Sequence, residues 1–137
     1  MNRELVITDY SGEGVGGEVK GNSYSILILN FLERLAAVKI EDMQRHTETD
    51  ESFILLKGSA VLFTSEGKEK PEIINPYKLE IGKVYTVPKG IWHTQSMTRD
   101  AKILLVESQG TVAENSPRCK LSEEQKAELR RWSEQLL

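Results

Sequence analysis

The chain has 137 residues, 39% hydrophobic and 28% charged, with a net charge of −3 and a single cysteine. That length fits one domain with a sizeable core, and the charge offers no basic face for nucleic acid. Cys119 alone excludes an intrachain disulfide framework. No run approaches the roughly 20 apolar residues of a membrane span. The N-terminus lacks a signal-peptide hydrophobic stretch, so a cytoplasmic protein is the expectation.

In chain order, Leu5-Val6-Ile7 predicts a short strand, and the glycine-rich stretch Ser11 to Gly21 a flexible loop. Gly12-Glu13-Gly14-Val15-Gly16-Gly17 looks loosely like a dinucleotide loop. A genuine one opens a helix, whereas another β-like run follows here, so that reading is set aside. Ser25 to Phe31 is apolar and reads as a strand or a buried helix, its Ile and Leu content favouring the strand, and Leu35 to Met43 predicts a second strand. Glu51 to Lys57 and Ser59 to Ser65 flank Gly58, a hairpin pattern. Pro71 to Pro76 and Tyr77 to Ile81 predict two short β segments. Lys83 to Val87 is extended and stopped by Pro88. Trp92 to Met97 and Ala101 to Glu107 predict a last pair of strands.

Residues 111–118 are polar, contain Pro117, and read as a linker. Ser122 with Gln125 forms a capping box, and Leu129, Trp132 and Leu136 lie on one face at helical spacing. These predict a helix over about 122–135, its stripe packed on the barrel or on a second subunit. The whole chain, 1–137, is expected to be one all-β domain with that one C-terminal helix, its barrel core spanning about 24–108. Many short strands separated by turn residues are the pattern of a sandwich or barrel.

Both histidines of the chain fall in two short segments. The first is Gln44-Arg45-His46-Thr47-Glu48-Thr49-Asp50-Glu51, with Gly58 further on. The second runs from Gly82 through Pro88 and Gly90 to His93. Two imidazoles and one carboxylate are a sufficient ligand set for a divalent cation with open positions left over. The alternative for such histidines is an ordinary hydrogen-bonded structural role.

This spacing resembles the cupin superfamily, whose motifs read G-x5-H-x-H-x(3,4)-E-x6-G and G-x5-P-x-G-x2-H-x3-N. The second is matched at Gly82, Pro88, Gly90 and His93, with Met97 where the family has Asn. The first is matched at His46, Glu51 and Gly58, with Val38 in place of the opening Gly and Gln44 in place of the first His. The resemblance covers about residues 35–107. It implies a double-stranded β-helix, or jelly-roll barrel, with His46, Glu51 and His93 pointing inward as metal ligands. Gln44 would be a fourth ligand through its oxygen, or a group hydrogen-bonded to a bound water. Fe, Mn, Ni and Zn are not distinguished.

By strand alternation Gln95 and Met97 share the face of His93, and Phe53 that of Glu51. With Tyr85 these predict a pocket for a small, partly polar ligand. Trp92 and Arg45 are expected to face away, and Phe63 to be core packing. The fold hosts many activities, so two functions stand side by side. One is a binding module for a divalent metal and a small molecule. The other is a metal-dependent dioxygenase, isomerase or lyase acting on a small polar substrate. No nucleic acid or membrane partner is expected. A homodimer is, through residues 3–9 pairing at a sheet edge.

Overall fold

The computed structural model describes residues 5–137. Ten strands, Gly14–Lys20 (β1), Tyr24–Asn30 (β2), Asp42–Gln44 (β3), Glu51–Lys57 (β4), Ala60–Ser65 (β5), Ile74–Lys78 (β6), Val84–Val87 (β7), Trp92–Met97 (β8), Lys102–Ser108 (β9) and Arg118–Lys120 (β10), precede one helix, Glu123–Leu136 (α1). The strands form two five-stranded sheets, ordered β1-β2-β9-β4-β7 and β10-β3-β8-β5-β6. All pairings are antiparallel. This is the expected all-β jelly roll.

Connectivity departs from the expected hairpins. β4 pairs with β7 and β9, while β5 pairs with β6 and β8, so the Gly58 turn crosses from one sheet to the other. The turn from β8 to β9 crosses likewise. The reason is burial. Phe53 and Leu55 on β4 and Ala60 and Leu62 on β5 cover one shared core only when their sheets face each other. Gly58 has φ +75°, and a Cβ there would lie 2.6 Å from Ala101 Cα, so the crossing turn requires glycine.

Other expectations are corrected. The glycine-rich stretch is strand β1, recruited by the free edge of β2 and broken by an irregularity between Gly16 and Val19. Leu5-Val6-Ile7 is exposed and belongs to no strand. The expected strand Leu35 to Met43 is not one: two single 3-10 turns, Glu33–Leu35 and Ala37–Lys39, lead up to β3. Leu35 and Ile40 are buried while Val38 is 64% exposed, so the run has no period-two face to pair. The two segments expected between Pro71 and Ile81 are one strand, β6. It lies at a sheet edge, where Pro76 removes no needed ladder bond.

Two clusters fill the molecule. The inner one lies between the sheets and includes Leu29, Phe53, Leu55, Leu62, Met97, Ile103 and Leu105. The outer one lies between the second sheet and α1, and includes Met43, Val61, Phe63, Trp92 and Leu129, with Trp132 and Leu136 against it. β5 is therefore covered on both faces, which is why Ala60-Val61-Leu62-Phe63 reads as an unbroken apolar run. Ser122 caps α1 through the expected box: its hydroxyl accepts from Gln125 N at 3.1 Å, and its own N–H donates to Gln125 Oε1 at 3.0 Å. The helix stripe is spent on the barrel.

Candidate metal centre

Glu51 opens β4, His93 is the second residue of β8, and His46 lies in the loop after β3. Two backbone-anchored bonds hold that loop to the turn before β8. Gly90 N donates to His46 O at 2.7 Å, and Lys89 N to Asp50 Oδ1 at 2.8 Å. Gly90 has φ +86°, the left-handed conformation this turn needs. Thus the two sequence segments are stitched together, and their three side chains converge.

All three are buried, with ligand atoms within 4.8 Å of one another. Glu51 Oε1 lies 3.3 Å from His46 Nε2 and 3.1 Å from His93 Nε2. The tautomers follow from the far side of each ring. His93 Nδ1 is 3.1 Å from Ile91 O, which can only accept, so Nδ1 carries the hydrogen. His46 Nδ1 is 2.7 Å from Ser116 Oγ. The Asn115 amide nitrogen donates to Glu48 Oε2 and Gly110 O, both at 2.8 Å, so its Oδ1 faces Val112 N–H and the Ser116 hydroxyl. Ser116 therefore donates to Asn115 and accepts from His46 Nδ1. In its neutral form each ring then presents a bare Nε2 lone pair to Glu51.

Three lone-pair atoms facing one another in a buried site need a positive centre between them. Protons satisfy them only by making two imidazolium ions with rings 5.1 Å apart, a costly burial of like charge. A single divalent cation satisfies all three, and two imidazoles with one carboxylate suit it chemically. The His46, Glu51 and His93 group can hold a metal ion.

Ser116 and Asn115 were hidden in the segment read as a linker. That segment is instead a covering strap. Arg45 N donates to Pro117 O at 3.1 Å and Thr47 N to Asn115 O at 2.9 Å, and β10 then pairs with β3. Outer partners that fix a ligand's tautomer are worth about 10–100-fold in metal affinity. Ser116→Ala is expected to lose that much in a chelator competition, with Ser116→Thr recovering part of it. Unchanged affinity in Ser116→Ala would refute the assigned tautomer.

Glu107 was also missed, although Ile103, Leu105 and Glu107 share the inward parity of β9. It stands directly opposite Glu51. Burial, and then the hydrogen bond and charge of Glu51, push the Glu107 carboxyl up to about 7. Glu107 contributes stability at low pH that is lost as pH rises from 4.5 to about 7. In chelator, thermal stability is expected to decline across that window, and Glu107→Gln to flatten the decline. An identical slope in the variant would remove Glu107 from the account.

A cavity of about 480 Å³ opens onto the triad. Gln44, Phe53 and Gln95 line it, together with Leu27, Leu29 and Leu105. Gln44 stands beside His93 in register and donates through Nε2 to Ser116 O at 3.2 Å. Phe53 meets the His93 ring edge-on at 5.9 Å. Two expected pocket residues are placed elsewhere. Met97 has the inward parity of His93 but lies deeper, closed over by the inner core. Tyr85 sits on edge strand β7 beyond Phe53, lines a separate cavity with Leu62, Tyr77 and Ile91, and accepts at its hydroxyl from Glu80 N. As expected, Trp92 and Arg45 face outward, the guanidinium stacked 4.5 Å from the indole.

Neither a protein-family model nor a curated protein sequence matches the chain. Solved structures do. A protein from Planctomyces limnophilus aligns with TM-score 0.52 and 14% identity, over 85% of this chain and 96% of its own. Hydroquinone 1,2-dioxygenase from Sphingomonas sp. TTNP3, with 4-hydroxybenzoate bound, aligns with TM-score 0.52 and 13% identity, over 68% of this chain and 64% of its own. CapF aligns with TM-score 0.54 and 14% identity, over 81% of this chain but 33% of its own. At such identities the likeness speaks to fold. With the two facing five-stranded sheets and the inward His-Glu-His group, it shows that this chain has the cupin fold, a double-stranded β-helix with a C-terminal helix packed outside.

Proposed function

We propose that the chain binds one divalent cation at His46, Glu51 and His93, and a small molecule in the adjoining cavity. The observation that carries this is the convergence of three buried lone-pair atoms whose rings are locked from behind by Ile91 and Ser116. Gln44 fits as a fourth ligand or as the holder of a bound water. Its Nε2 is engaged with Ser116, which leaves its oxygen without a hydrogen-bond partner among the described residues. Elemental analysis of freshly purified protein tests the reading. Substoichiometric metal that cannot be raised by reloading would overturn it.

One observation favours the enzymatic alternative. Glu107 is a half-buried carboxyl directly opposite Glu51, placed to exchange a proton with a ligand at the site. A bound cation would supply Lewis-acid polarisation of a ligand oxygen, while Glu107 would give or take a proton. The dioxygenase of like fold acts on hydroquinone by its name, which makes dioxygen consumption with small phenols a direct assay. A compound that binds without turnover or dioxygen uptake supports the binding module.

The dimer expectation also belongs here. Leu5, Val6 and Ile7 are 74%, 63% and 84% exposed; the other part of the expected segment, residues 3 and 4, lies outside the described residues. Each sheet offers edge strands, β1 and β7 in one and β10 and β6 in the other, and an apolar tripeptide laid on such an edge in a second copy would cover both. Light scattering is expected to give twice the 15.5 kDa chain mass, falling to the monomer value when residues 1–10 are deleted. A full-length monomer at micromolar concentration would end this proposal.

A further inference from the structure

The charged side chains that line the cavity divide by position. Glu51 and Glu107 stand opposite each other across two strands, and the only other charges on the lining among the described residues are Arg34 and Arg118. Arg34 comes from the first 3-10 turn, is exposed, and has no acidic partner among the described residues; the neighbouring Glu33 is engaged by Arg99 and Lys39. Arg118 comes from β10. Arg118, Gln44 and His93 lie side by side in register across β10, β3 and β8, so they share one face of the sheet. Two strand spacings place Arg118 about 10 Å from His93. Its one ion pair among the described residues, Nη1 to Asp42 Oδ1 at 3.1 Å, is half-exposed, leaves other N–H donors of the guanidinium without a partner among those residues, and is of a kind that contributes little.

We propose that the ligand is a small carboxylate whose acid group is held by Arg34 and Arg118 at the cavity mouth. This rests on reading the cavity as a ligand site and names what that site selects. Guanidinium groups match carboxylate oxygens in pairs, which a neutral isostere cannot exploit. The wall between mouth and metal centre is apolar on one side, with Leu27, Leu29, Leu105 and Phe53, and amide-lined on the other, with Gln44 and Gln95. That suits a short aliphatic or aryl body reaching about 10 Å inward. A cation at the triad would leave the inner end of the cavity without excess negative charge, so nothing there repels an acid.

The test uses full-length protein loaded with zinc, and as probes the straight-chain carboxylates from acetate to octanoate with their primary amides, by titration calorimetry. At least one acid is expected to bind about 10-fold or more tightly than its amide. The double variant Arg34→Gln, Arg118→Gln should bring that preference to about 2-fold or less while holding the wild-type zinc content. The lysine pair, Arg34→Lys with Arg118→Lys, should keep part of it and serves as the folded control. In EDTA the preference should persist and respond to the same variants.

Equal binding of acids and amides, or no acid binding up to about 10 mM, would overturn the proposal. So would a preference that survives in the glutamine variant. A preference abolished by EDTA yet indifferent to the arginines would put the carboxylate on the cation, which overturns this inference and leaves the metal centre standing. Protein that takes up no zinc but shows the arginine-dependent preference would do the reverse.

Discussion

His93→Ala is expected to leave the purified protein nearly free of metal, against close to one divalent cation per chain in the wild type. His93 is 5% exposed and held on β8 between Gln44 of β3 on one side and Thr64 of β5 on the other. No other histidine besides His46 exists to replace it. The affinity loss should exceed the roughly 10–100-fold that follows from losing an outer hydrogen-bond partner, and so exceed that of Ser116→Ala. The variant should remain folded, because the removed ring faces the cavity rather than the packed core. Elemental analysis with circular dichroism on the same sample checks both parts. Full metal content in a folded His93→Ala protein would refute the ligand assignment.

The second large effect concerns the helix. Leu129 is fully buried in the outer cluster, and Ser133 one turn on shares a buried 2.8 Å hydrogen bond with Ser96 of β8. Truncating a buried leucine costs about 2–5 kcal/mol. Leu129→Ala should therefore lower the midpoint of thermal unfolding by roughly 10 °C. Arg131→Ala, exposed two residues away, should change stability by no more than about 0.5 kcal/mol. Comparable small shifts in both variants would mean that α1 does not hold the outer face of the sheet in solution. Because β8 carries His93 on its other face, a loosened helix should also weaken metal binding, by less than His93→Ala does.

The departures from sequence expectation share a cause. Period-two patterning finds a strand but says nothing of its partner. Glu51 to Lys57 and Trp92 to Met97 were legible as strands, while their assignment to opposite sheets depends on which apolar faces meet. Ala60 to Phe63 is apolar on both faces because α1 lies behind it, a fact no local window contains. The glycine-rich stretch has no strand propensity to detect; only the edge of β2 makes it β1. Tyr85 and Met97 had the correct parity for the cavity, but parity fixes a face and not a depth along the strand.

By itself the sequence determined the capped helix, whose box and stripe are local interactions within a few residues, and the grouping of His46, Glu51 and His93, whose motif glycines and proline place each side chain at a turn or strand end. What only the tertiary structure decided lies between distant segments. Strand pairing set Glu107 against Glu51 and lined up Arg118, Gln44 and His93. The strap of residues 111–118 brings Ser116, seventy residues from His46 along the chain, to lock the His46 ring. These depend on register and closure, which arise when two sheets bury one core, and no spacing along the chain encodes them.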